Sequence, residues 1–284
     1  TAARYERVLA DGGRLRTMDG LILATLFFEP STRTRLSFET AMLRLGGQVI
    51  TVADPKTSSA AKGESLADSI RTVEGYADVI VIRHPQRGSA QEAADTASIP
   101  VINAGDGAGQ HPTQALLDLM TIRSECGGIE GKTIALCGDL KNGRTVHAGV
   151  EIYKHYDCKL IFVAPDRLRM PDAITAGLRA RGVAVEETTD LEAALPKADV
   201  LYMTRIQKER FDDPAEYERL KNSYILTREM VERLNPKLTV LHPLPRVNEI
   251  ATDVDSLSGA AYFRQMRNGV YVRMALIALV LGLV

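Results

Sequence analysis

The chain has 284 residues, of which 45% are hydrophobic and 25% charged, a composition typical of a globular protein with two domains. Lys and Arg number 35 against 36 Asp and Glu, so the formal net charge of -1 gives no global field to attract nucleic acid or an anionic membrane. The three cysteines form no CxxC pair, which argues against a zinc site or a disulfide framework and favours a reducing, cytoplasmic location.

Neither end of the sequence has the pattern of a membrane or export segment. Residues 1–19 alternate charged and small residues without the apolar run of a signal peptide. The C-terminal stretch MALIALVLGLV is shorter than the roughly 20 residues of a spanning helix and follows Arg273. We therefore expect a helix packed on the body of the protein.

The first half of the chain alternates apolar, β-branched runs with amphipathic segments. LILATLFF, QVITVA and DVIVIR are predicted strands, with helices over about residues 31–45 and 65–76 between them. This alternation is typical of parallel strands with crossover helices. The polar segment DPKTSSAAKG, residues 54–63, is predicted to be a surface loop.

The same alternation restarts after Gly127 and Gly128. KTIALCGD, KLIFVAP, DVLYMT and LTVLHP are predicted strands, with helices from about residue 145 and near residues 171–180. A helix over residues 113–124 is expected to connect the two halves. The pattern therefore predicts an α/β protein of two domains.

Two nucleotide-binding patterns are incomplete. Gly131-Lys132-Thr133 is similar to the end of a phosphate-binding loop, but Cys126 occupies the position of its first glycine and the strand follows it. Gly105, Gly107 and Gly109 follow a strand, but the third glycine comes too early for a dinucleotide site. No cofactor and no metal are predicted.

The strongest chemical pattern is FFEPSTRTRLSFE, residues 27–39, where a strand runs through Pro30 into a helix. Unpaired N–H groups at the helix start, successive hydroxyls and an arginine suit an anion. Ser31, Thr32, Arg33 and Thr34 are therefore candidate phosphate ligands, rather than a helix cap and solvated arginines. Arg35 cannot face the same way as Arg33, so it is predicted to form a structural ion pair.

Two further patterns place polar side chains after predicted strands. AGDGAGQHPTQALLDL presents His111, Thr113 and Gln114 after a glycine-rich loop, and Arg83 ends DVIVI. A single histidine before proline is more often structural than functional. Because parallel sheets bind ligands at their carboxyl ends, we expect these residues and the phosphate cradle to meet one phosphate-bearing substrate.

PSTRTR, HPTQ and the later HPLPR, residues 242–246, together resemble the carbamoyltransferase family, from about residue 21 to the C-terminus. The resemblance implies two doubly wound parallel-sheet domains joined by two interdomain helices. Residues 1–112 would bind carbamoyl phosphate, with a C-terminal helix over about 268–284 returning to that domain. Residues 113–267 would bind the amine acceptor.

Other positions in the sequence indicate which amine accepts the carbamoyl group. Ornithine enzymes of the family carry a Cys where this chain has Pro243, and they lack a Lys-bearing loop such as that of Lys62. Arg205 and Gln207 supply donors suited to a dicarboxylate. The chain thus resembles the aspartate carbamoyltransferase catalytic chains, which make N-carbamoyl-L-aspartate and phosphate in pyrimidine biosynthesis.

Carried over by position, the resemblance implies a role for each site residue. Arg33, Thr34, Lys62, Arg83, His111 and Gln114 would act in catalysis. The phosphate would be bound by Ser31, Thr32, Arg33 and Thr34, and hydrogen bonds to the carbonyl oxygen would come from Arg83, His111 and Thr34. The carbamoyl NH2 would donate to Gln114 and to the backbone carbonyls of Leu244 and Pro245. Aspartate would be bound by Arg144, Thr145, Arg205 and Gln207.

The resemblance also implies a homotrimer with shared sites, in which Ser58 and Lys62 enter the site of a neighbouring subunit. Regulatory chains or a dihydroorotase are left open as further partners. Two features depart from the family. Ala61 stands where some relatives have a second Lys, and the chain begins later, relative to PSTRTR, than is usual, so a first helix is expected to be missing.

Two alternatives stay open at this point. One is a carbamoyltransferase for another amine such as ornithine, and the other is a catalytically inactive homologue that serves as a scaffold. Arg205, Gln207 and Pro243 weigh against the first. The chemically required residues stand at the site positions named above, which weighs against the second.

Overall fold

The computed structural model describes residues 1–54, 59–107, 112–211 and 213–284. Two compact units are present. Unit 1 comprises Thr1–Thr113 and Arg267–Val284, and unit 2 comprises Gln114–Met266. Both divisions fall inside long helices, so the chain passes from one unit to the other in helical conformation. The predicted fold class, two doubly wound parallel-sheet domains joined by two helices, is confirmed.

Unit 1 contains a four-stranded parallel sheet of order β2-β1-β3-β4. Its elements are α1 (Ala2–Ala10), β1 (Ile22–Phe27), α2 (Thr32–Arg44), β2 (Gln48–Val52), α3 (Leu66–Glu74), β3 (Val79–His84), α4 (Ser89–Thr96) and β4 (Val101–Asp106). Helix α5 (Pro112–Cys126) then leads into unit 2.

Unit 2 contains a five-stranded parallel sheet of order β7-β6-β5-β8-β9. Its elements are β5 (Thr133–Cys137), α6 (Arg144–Tyr153), β6 (Lys159–Val163), α7 (Asp172–Ala180), β7 (Ala184–Thr188), α8 (Leu191–Ala194), β8 (Val200–Met203), α9 (Pro214–Leu220), α10 (Arg228–Leu234) and β9 (Thr239–Leu241). Helix α11 (Tyr262–Val280) begins in unit 2 and ends in unit 1.

Both faces of the central strands are buried. In β5, Ile134 and Leu136 pack in one apolar cluster, and Ala135 and Cys137 pack in another. Successive side chains of a strand point to opposite faces, so the two clusters lie on opposite sides of the sheet. Because both faces exclude water, the strand is a continuous apolar run, and this is why the sequence predicts it.

The structure corrects several predicted elements. Strand β7 and helices α1, α4, α8, α9 and α10 were not predicted, and α5 extends beyond residues 113–124 at both ends. A first helix was expected to be missing, but the structure has a helix near the N-terminus: α1 occupies Ala2–Ala10 and buries Tyr5. The C-terminal helix extends from Tyr262 to Val280, so it begins earlier than predicted. Its first turns carry polar residues, and the apolar pattern used to predict the helix does not include them.

The apolar C-terminal residues lie in α11, where Met274, Ile277 and Ala278 are fully buried. Burial of this kind contributes roughly 1.5–3 kcal/mol for each large apolar side chain. In the part of the chain that the structure describes, no helix has both the length and the apolarity needed to cross a bilayer.

Candidate active site

The phosphate motif of unit 1 lies where the order of the sheet reverses. Strand β1 has β2 on one side and β3 on the other, so the connections from β1 and β3 leave in opposite directions. A crevice forms at such a point, at the carboxyl ends of the strands, and ligands of open α/β sheets bind there. Glu29–Thr34 follow β1, and Arg83 lies at the end of β3.

Backbone hydrogen bonds fix the two segments to each other. The N–H groups of Phe28 and Glu29 donate to the carbonyl of Arg83 at 2.8 and 3.3 Å. Phe27 is also the register partner of Arg83 in the sheet. The chain that enters the phosphate motif is therefore held beside Arg83.

Arg83 is only 7% exposed, and its guanidinium is held from two sides. Its Nε lies 3.2 Å from Oε2 of Glu29, and its Nη1 donates to the carbonyl of Ala104 at 3.5 Å. A buried cation of this kind needs paired charge and hydrogen bonds to offset its loss of hydration. The result is a positive group in a fixed orientation at the crevice.

Helix α2 begins directly after the phosphate motif. Ser31 is its N-cap residue, and the Ser31 hydroxyl donates to Oγ1 of Thr34 at 3.0 Å. Thr34 is buried, whereas Thr32 and Arg33 are exposed at the surface. Partial loss of hydration beside the protein lowers the pKa of the Arg33 guanidinium from its ordinary value. The first turn of a helix presents unpaired N–H groups and the positive end of the helix dipole, which favour an anion.

The prediction for Arg35 is confirmed. Its Nη1 lies 3.4 Å from Oε1 of Glu39 on the next turn of α2. The same carboxylate oxygen accepts a hydrogen bond of 3.1 Å from Thr25 of β1. Glu39 thus links α2 to the sheet, and Arg35 forms an ion pair with it inside the helix.

Helix α11 contributes a third support to this region of unit 1. Arg273 is 4% exposed; its Nη1 donates to Ser37 of α2 at 2.9 Å, and its Nη2 donates to Thr113 of α5 at 3.3 Å. The guanidinium carbon also lies 5.0 Å from the centre of the Phe38 ring. The start of α5 is thereby tied to the phosphate-motif helix.

The segment after β4 passes close to the end of β3. Gly107 has a φ of +57°, its N–H donates to the carbonyl of His84 at 2.8 Å, and a Cβ at this position would lie 2.0 Å from the carbonyl oxygen of Pro85. Only glycine fits both the left-handed conformation and this approach. The glycine-rich sequence therefore has a packing role here.

We expect Gly107→Ala to unfold at a lower urea concentration than Gly88→Ala. Gly88 also has a positive φ, of +88°, but a Cβ there meets no atom within 4 Å. Gly88→Ala should cost about 1–2 kcal/mol of unfolding free energy from backbone strain alone. Gly107→Ala should cost about 1–3 kcal/mol more from overpacking. Equal losses in equilibrium urea unfolding would show that the approach to Pro85 imposes no constraint.

The predicted substrate-binding residues of unit 2 lie at a reversal of strand order or on the strand next to it. Strand β5 has β6 on one side and β8 on the other, with β9 beyond β8. Arg144 and Thr145 open α6 after β5, Arg205 and Gln207 follow β8, and Leu244 and Pro245 follow β9. Six predicted site residues thus follow three neighbouring parallel strands.

The connections after β5 and β8 are in close contact. Thr204 donates to the carbonyl of Cys137 through its N–H at 2.8 Å and through its hydroxyl at 3.2 Å. A Cβ on Gly138 would lie 2.2 Å from the carbonyl oxygen of Thr204. The side chains of Arg144 and Arg205, which both lie just beyond these segments, are half-buried.

The turn after β9 carries an unusual backbone conformation. Leu244 has a φ of +54°, and the peptide bond between Leu244 and Pro245 is cis. The N–H of Leu244 donates to Nδ1 of His242 at 2.8 Å. A left-handed conformation is unfavourable for leucine, so the surrounding contacts must hold it.

Gln114 lies in the first turn of α5 and is 8% exposed. The residues that hold its side chain were not predicted from the sequence. Its Nε2 donates to Oδ1 of Asp118 at 2.8 Å, and Gln265 of α11 donates to the same oxygen at 2.6 Å. Asp118 is fully buried. This contact could have been predicted, because side chains four residues apart on a helix are neighbours and Asp118 is four residues after Gln114.

Three predicted residues need separate mention. Ser58 and His111 lie outside the described residues. Lys62 ends a short 3-10 turn, Ser59–Lys62, with an exposed side chain in unit 1. The remaining predicted residues fall into two groups, Ser31–Thr34 with Arg83 in unit 1 and the others in unit 2.

Comparison with known proteins identifies the family of the chain. Residues 1–124 match the family described as aspartate/ornithine carbamoyltransferase, carbamoyl-P binding domain, and residues 130–280 match its Asp/Orn binding domain. The chain is 58% identical over 281 residues to the aspartate carbamoyltransferase catalytic subunit of Thermococcus kodakarensis, covering 99% of this chain and 91% of the relative. The corresponding subunit of Methanopyrus kandleri is 57% identical over 282 residues, with the same coverage.

Solved structures give the same result. The catalytic subunit of M. jannaschii aspartate transcarbamoylase superposes with a TM-score of 0.93 at 51% identity, covering 99% of this chain and 92% of that one. The aspartate transcarbamoylase of Trypanosoma cruzi in complex with carbamoyl phosphate gives a TM-score of 0.91 at 45% identity, covering 97% and 88%. On its sequence and on its fold, the chain belongs to the aspartate/ornithine carbamoyltransferase family.

Proposed function

We propose that the protein transfers the carbamoyl group of carbamoyl phosphate to the amino group of L-aspartate, giving N-carbamoyl-L-aspartate and phosphate in pyrimidine biosynthesis. One observation carries the proposal: each unit places arginines at the carboxyl ends of the strands where its sheet reverses, Arg33 and Arg83 in unit 1 and Arg144 and Arg205 in unit 2. One substrate is an acyl phosphate and the other a dicarboxylate. Both are anions that arginine binds well.

The relatives support the choice of substrates. The Trypanosoma cruzi enzyme has been crystallised with carbamoyl phosphate and aspartate, with carbamoyl aspartate and phosphate, and with N-(phosphonacetyl)-L-aspartic acid. The relatives from Thermococcus kodakarensis and Methanopyrus kandleri are named aspartate carbamoyltransferase catalytic subunits. The identity of more than half of the aligned positions extends that activity to this chain.

In unit 1, the proposed role of the phosphate motif is to bind carbamoyl phosphate. Ser31, Thr32, Arg33 and Thr34 donate to the phosphate through the helix start, the hydroxyls and the guanidinium. Arg83 donates to the carbonyl oxygen, together with Thr34 and His111. The contact with Glu29 fixes the orientation of the Arg83 guanidinium before substrate binds.

In unit 2, the proposed ligands of aspartate are Arg144, Thr145, Arg205 and Gln207. Arginine can hold each carboxylate by two hydrogen bonds, whereas an ammonium-bearing acceptor such as ornithine would be repelled. Gln114 and the carbonyls of Leu244 and Pro245 accept hydrogen bonds from the carbamoyl NH2. These acceptors distinguish an amide from a group without N–H bonds.

The reaction follows from these roles. The aspartate nitrogen attacks the carbonyl carbon, a C–N bond forms, the carbonyl oxygen gains negative charge, and the C–O bond to phosphate then breaks. The departing phosphate takes the proton that the amine loses. Positive donors aimed at the carbonyl oxygen stabilise that charge, and holding both substrates in attack geometry supplies the rest of the acceleration.

The cysteines are not suited to serve as nucleophiles in this reaction. Burial raises the pKa of the Cys126 and Cys137 thiols, and it raises the pKa of Cys158 to about 11. A thiol is a good nucleophile only as the thiolate, which these environments disfavour near neutral pH. Direct transfer between the substrates is therefore the favoured route.

Acceptor choice is tested by phosphate release from carbamoyl phosphate with aspartate or with ornithine. We expect release with aspartate and none above background with ornithine. Release with ornithine alone would favour the other branch of the family. A folded protein that releases phosphate with neither acceptor would favour the scaffold alternative.

We also propose a cytoplasmic homotrimer whose sites are shared between neighbouring subunits. The three cysteines are free thiols, which suits a reducing compartment. In the proposed arrangement, Lys62 and Ser58 act in the site of the adjacent subunit and Arg33 acts in its own. Light scattering of the purified chain separates a trimer from larger assemblies with regulatory chains or a dihydroorotase.

Subunit mixing tests the shared site. Lys62→Ala and Arg33→Ala trimers should each be nearly inactive, because every site lacks one of the two cations. When equal amounts are unfolded and refolded together, roughly one site in four combines an intact Arg33 with an intact Lys62 from its neighbour, so roughly a quarter of wild-type activity should return. Each variant refolded alone is the control. A mixture shown by a mass tag to be hybrid, yet as inactive as its parents, rules out sharing.

A further inference from the structure

Two of the proposed acceptors for the carbamoyl NH2, Gln114 and Leu244, are joined by a buried chain of hydrogen bonds within unit 2. Gln114 and Gln265 both donate to Asp118, the Gln265 amide oxygen accepts from the N–H of His242 at 2.9 Å, and the N–H of Leu244 donates to the His242 ring. Asp118, Gln265 and His242 are each at most 1% exposed. We call these three residues the acceptor network.

The Asp118 end of the network fixes the orientation of the Gln114 amide. Oδ1 of Asp118 accepts the hydrogen bond from Gln114, so the group that faces Asp118 is the NH2 of Gln114. The amide oxygen then lies on the side away from Asp118, in an orientation suited to accept a hydrogen bond from an N–H group of a ligand. If the amide were reversed, its NH2 would confront the NH2 of the substrate.

The His242 end fixes the backbone of Leu244. Because Nδ1 accepts from the Leu244 N–H, the ring proton lies on Nε2, which donates to Oε1 of Glu249 at 2.6 Å. The N–H that His242 holds belongs to a residue with a φ of +54°, a conformation that surrounding contacts must maintain. The same conformation sets the direction of the Leu244 carbonyl.

Glu249 supports the histidine from the opposite side. It is 4% exposed, and its Oε2 accepts from the N–H groups of Val247 and Asn248 at 3.1 Å each. Burial acts to raise the pKa of the Glu249 carboxyl, but the hydrogen bonds from His242 and from the backbone lower it below its ordinary value. The ring is thus held between a carboxylate and the Leu244 turn.

We propose that the acceptor network positions Gln114 and Leu244 to accept the two N–H bonds of the carbamoyl group, and so makes the enzyme prefer carbamoyl phosphate to acetyl phosphate. The inference rests on the proposed function and adds to it a set of specificity-determining residues. Acetyl phosphate has the same shape but carries a methyl group, which leaves both acceptors without partners. A site built around hydrogen bonds rejects such an analogue strongly.

Two substitutions of His242 separate positioning from stability. His242→Asn keeps an oxygen near Nδ1, and asparagine readily accepts from the N–H two residues on, but it loses the contact with Glu249. His242→Gln reaches Glu249 but has no acceptor near Nδ1 for Leu244. Affinities for carbamoyl phosphate and acetyl phosphate are measured by calorimetric titration, and stability is measured by thermal unfolding.

The two variants should show opposite orders in selectivity and stability. His242→Asn should keep the ratio of the two affinities within about threefold of wild type while having the lower melting temperature, since Glu249 loses its donor. His242→Gln should melt higher but lose about tenfold in the ratio, because acetyl phosphate binding does not depend on the acceptors. A His242→Gln protein with the wild-type ratio, or equal loss for both phosphates in both variants, overturns the inference.

A matched pair at the other end tests Asp118. Asp118→Asn keeps an oxygen that both glutamines reach, so the affinity ratio should stay close to that of wild type. Asp118→Leu has a similar size but no acceptor, so the ratio should fall by about tenfold. A leucine variant with the wild-type ratio would remove Asp118 from the network and contradict the inference.

The wild-type reaction separates this inference from the proposed function. If wild-type protein forms no N-carbamoyl-L-aspartate, the proposed function fails, and with it the basis of the network. If wild-type protein forms the product but His242→Gln and Asp118→Leu keep full preference for carbamoyl phosphate, only the inference fails.

Discussion

Replacing Arg83 with methionine should lower kcat by about 10²- to 10³-fold, the loss seen when one donor to a developing oxyanion is removed. Arg83 is 7% exposed and held by Glu29 and by the carbonyl of Ala104, so its guanidinium is oriented before substrate binds. Such a preorganised charge stabilises the transition state more than the ground state. The KM for carbamoyl phosphate should therefore change less than kcat does.

Arg35→Met is the matched control for this experiment. Arg35 lies on the same motif but pairs with Glu39, and both side chains are partly exposed. We expect kcat within a few-fold of wild type and a stability loss below about 1 kcal/mol. Initial rates of phosphate release, with circular dichroism to verify folding, distinguish the two variants. Near-wild-type turnover of folded Arg83→Met would remove Arg83 from the site.

Replacing Arg205 with alanine should raise the KM for aspartate by roughly 10- to 100-fold, because a hydrogen bond to a charged group contributes about 1.5–3 kcal/mol. Arg205 follows β8 in unit 2, whereas the phosphate motif belongs to unit 1. The affinity for carbamoyl phosphate should therefore stay close to that of wild type in calorimetric titration.

Lys208→Ala controls for the loss of positive charge in the same segment. Lys208 is exposed, and its Nζ lies 6.0 Å from the centre of the Tyr217 ring. We expect the KM for aspartate to change by less than about twofold, since screening weakens an exposed charge. If Arg205→Ala weakens both substrates equally, the assignment of aspartate to unit 2 is wrong.

The sequence predicts the central strands well because both of their faces are buried. DVIVIR becomes β3, in which Val79–Ile82 are fully buried, and KTIALCGD becomes β5. A strand buried on both faces must be apolar at every position, and this gives an unbroken pattern. The parallel direction of the strands then follows from the alternation with helices.

The elements that were missed have weaker patterns for a physical reason. Strand β7, with the sequence AVEET, lies at the edge of its sheet, and the structure buries none of its residues fully. Helix α4 is short and alanine-rich. An element that buries little apolar surface leaves little periodicity in the sequence, so its position depends on tertiary contacts.

The candidate site was likewise predicted only in part. Arg33, Arg83 and Gln114 stand in recognisable motifs, and the structure places them at strand ends and helix starts as expected. Their supports come from distant positions: Asp118 contacts Gln265, which is 147 residues away in the sequence. Such a contact depends on how α5 and α11 pack, which no local pattern contains.

The most direct test of the proposed function follows the carbamoyl group itself. The purified chain is incubated with ¹³C-labelled carbamoyl phosphate and aspartate, and the label and the released phosphate are measured by NMR. We expect one labelled N-carbamoyl-L-aspartate for each phosphate released, and no labelled product when ornithine replaces aspartate. Phosphate release without labelled carbamoyl-aspartate, or label transferred to ornithine instead, would contradict it.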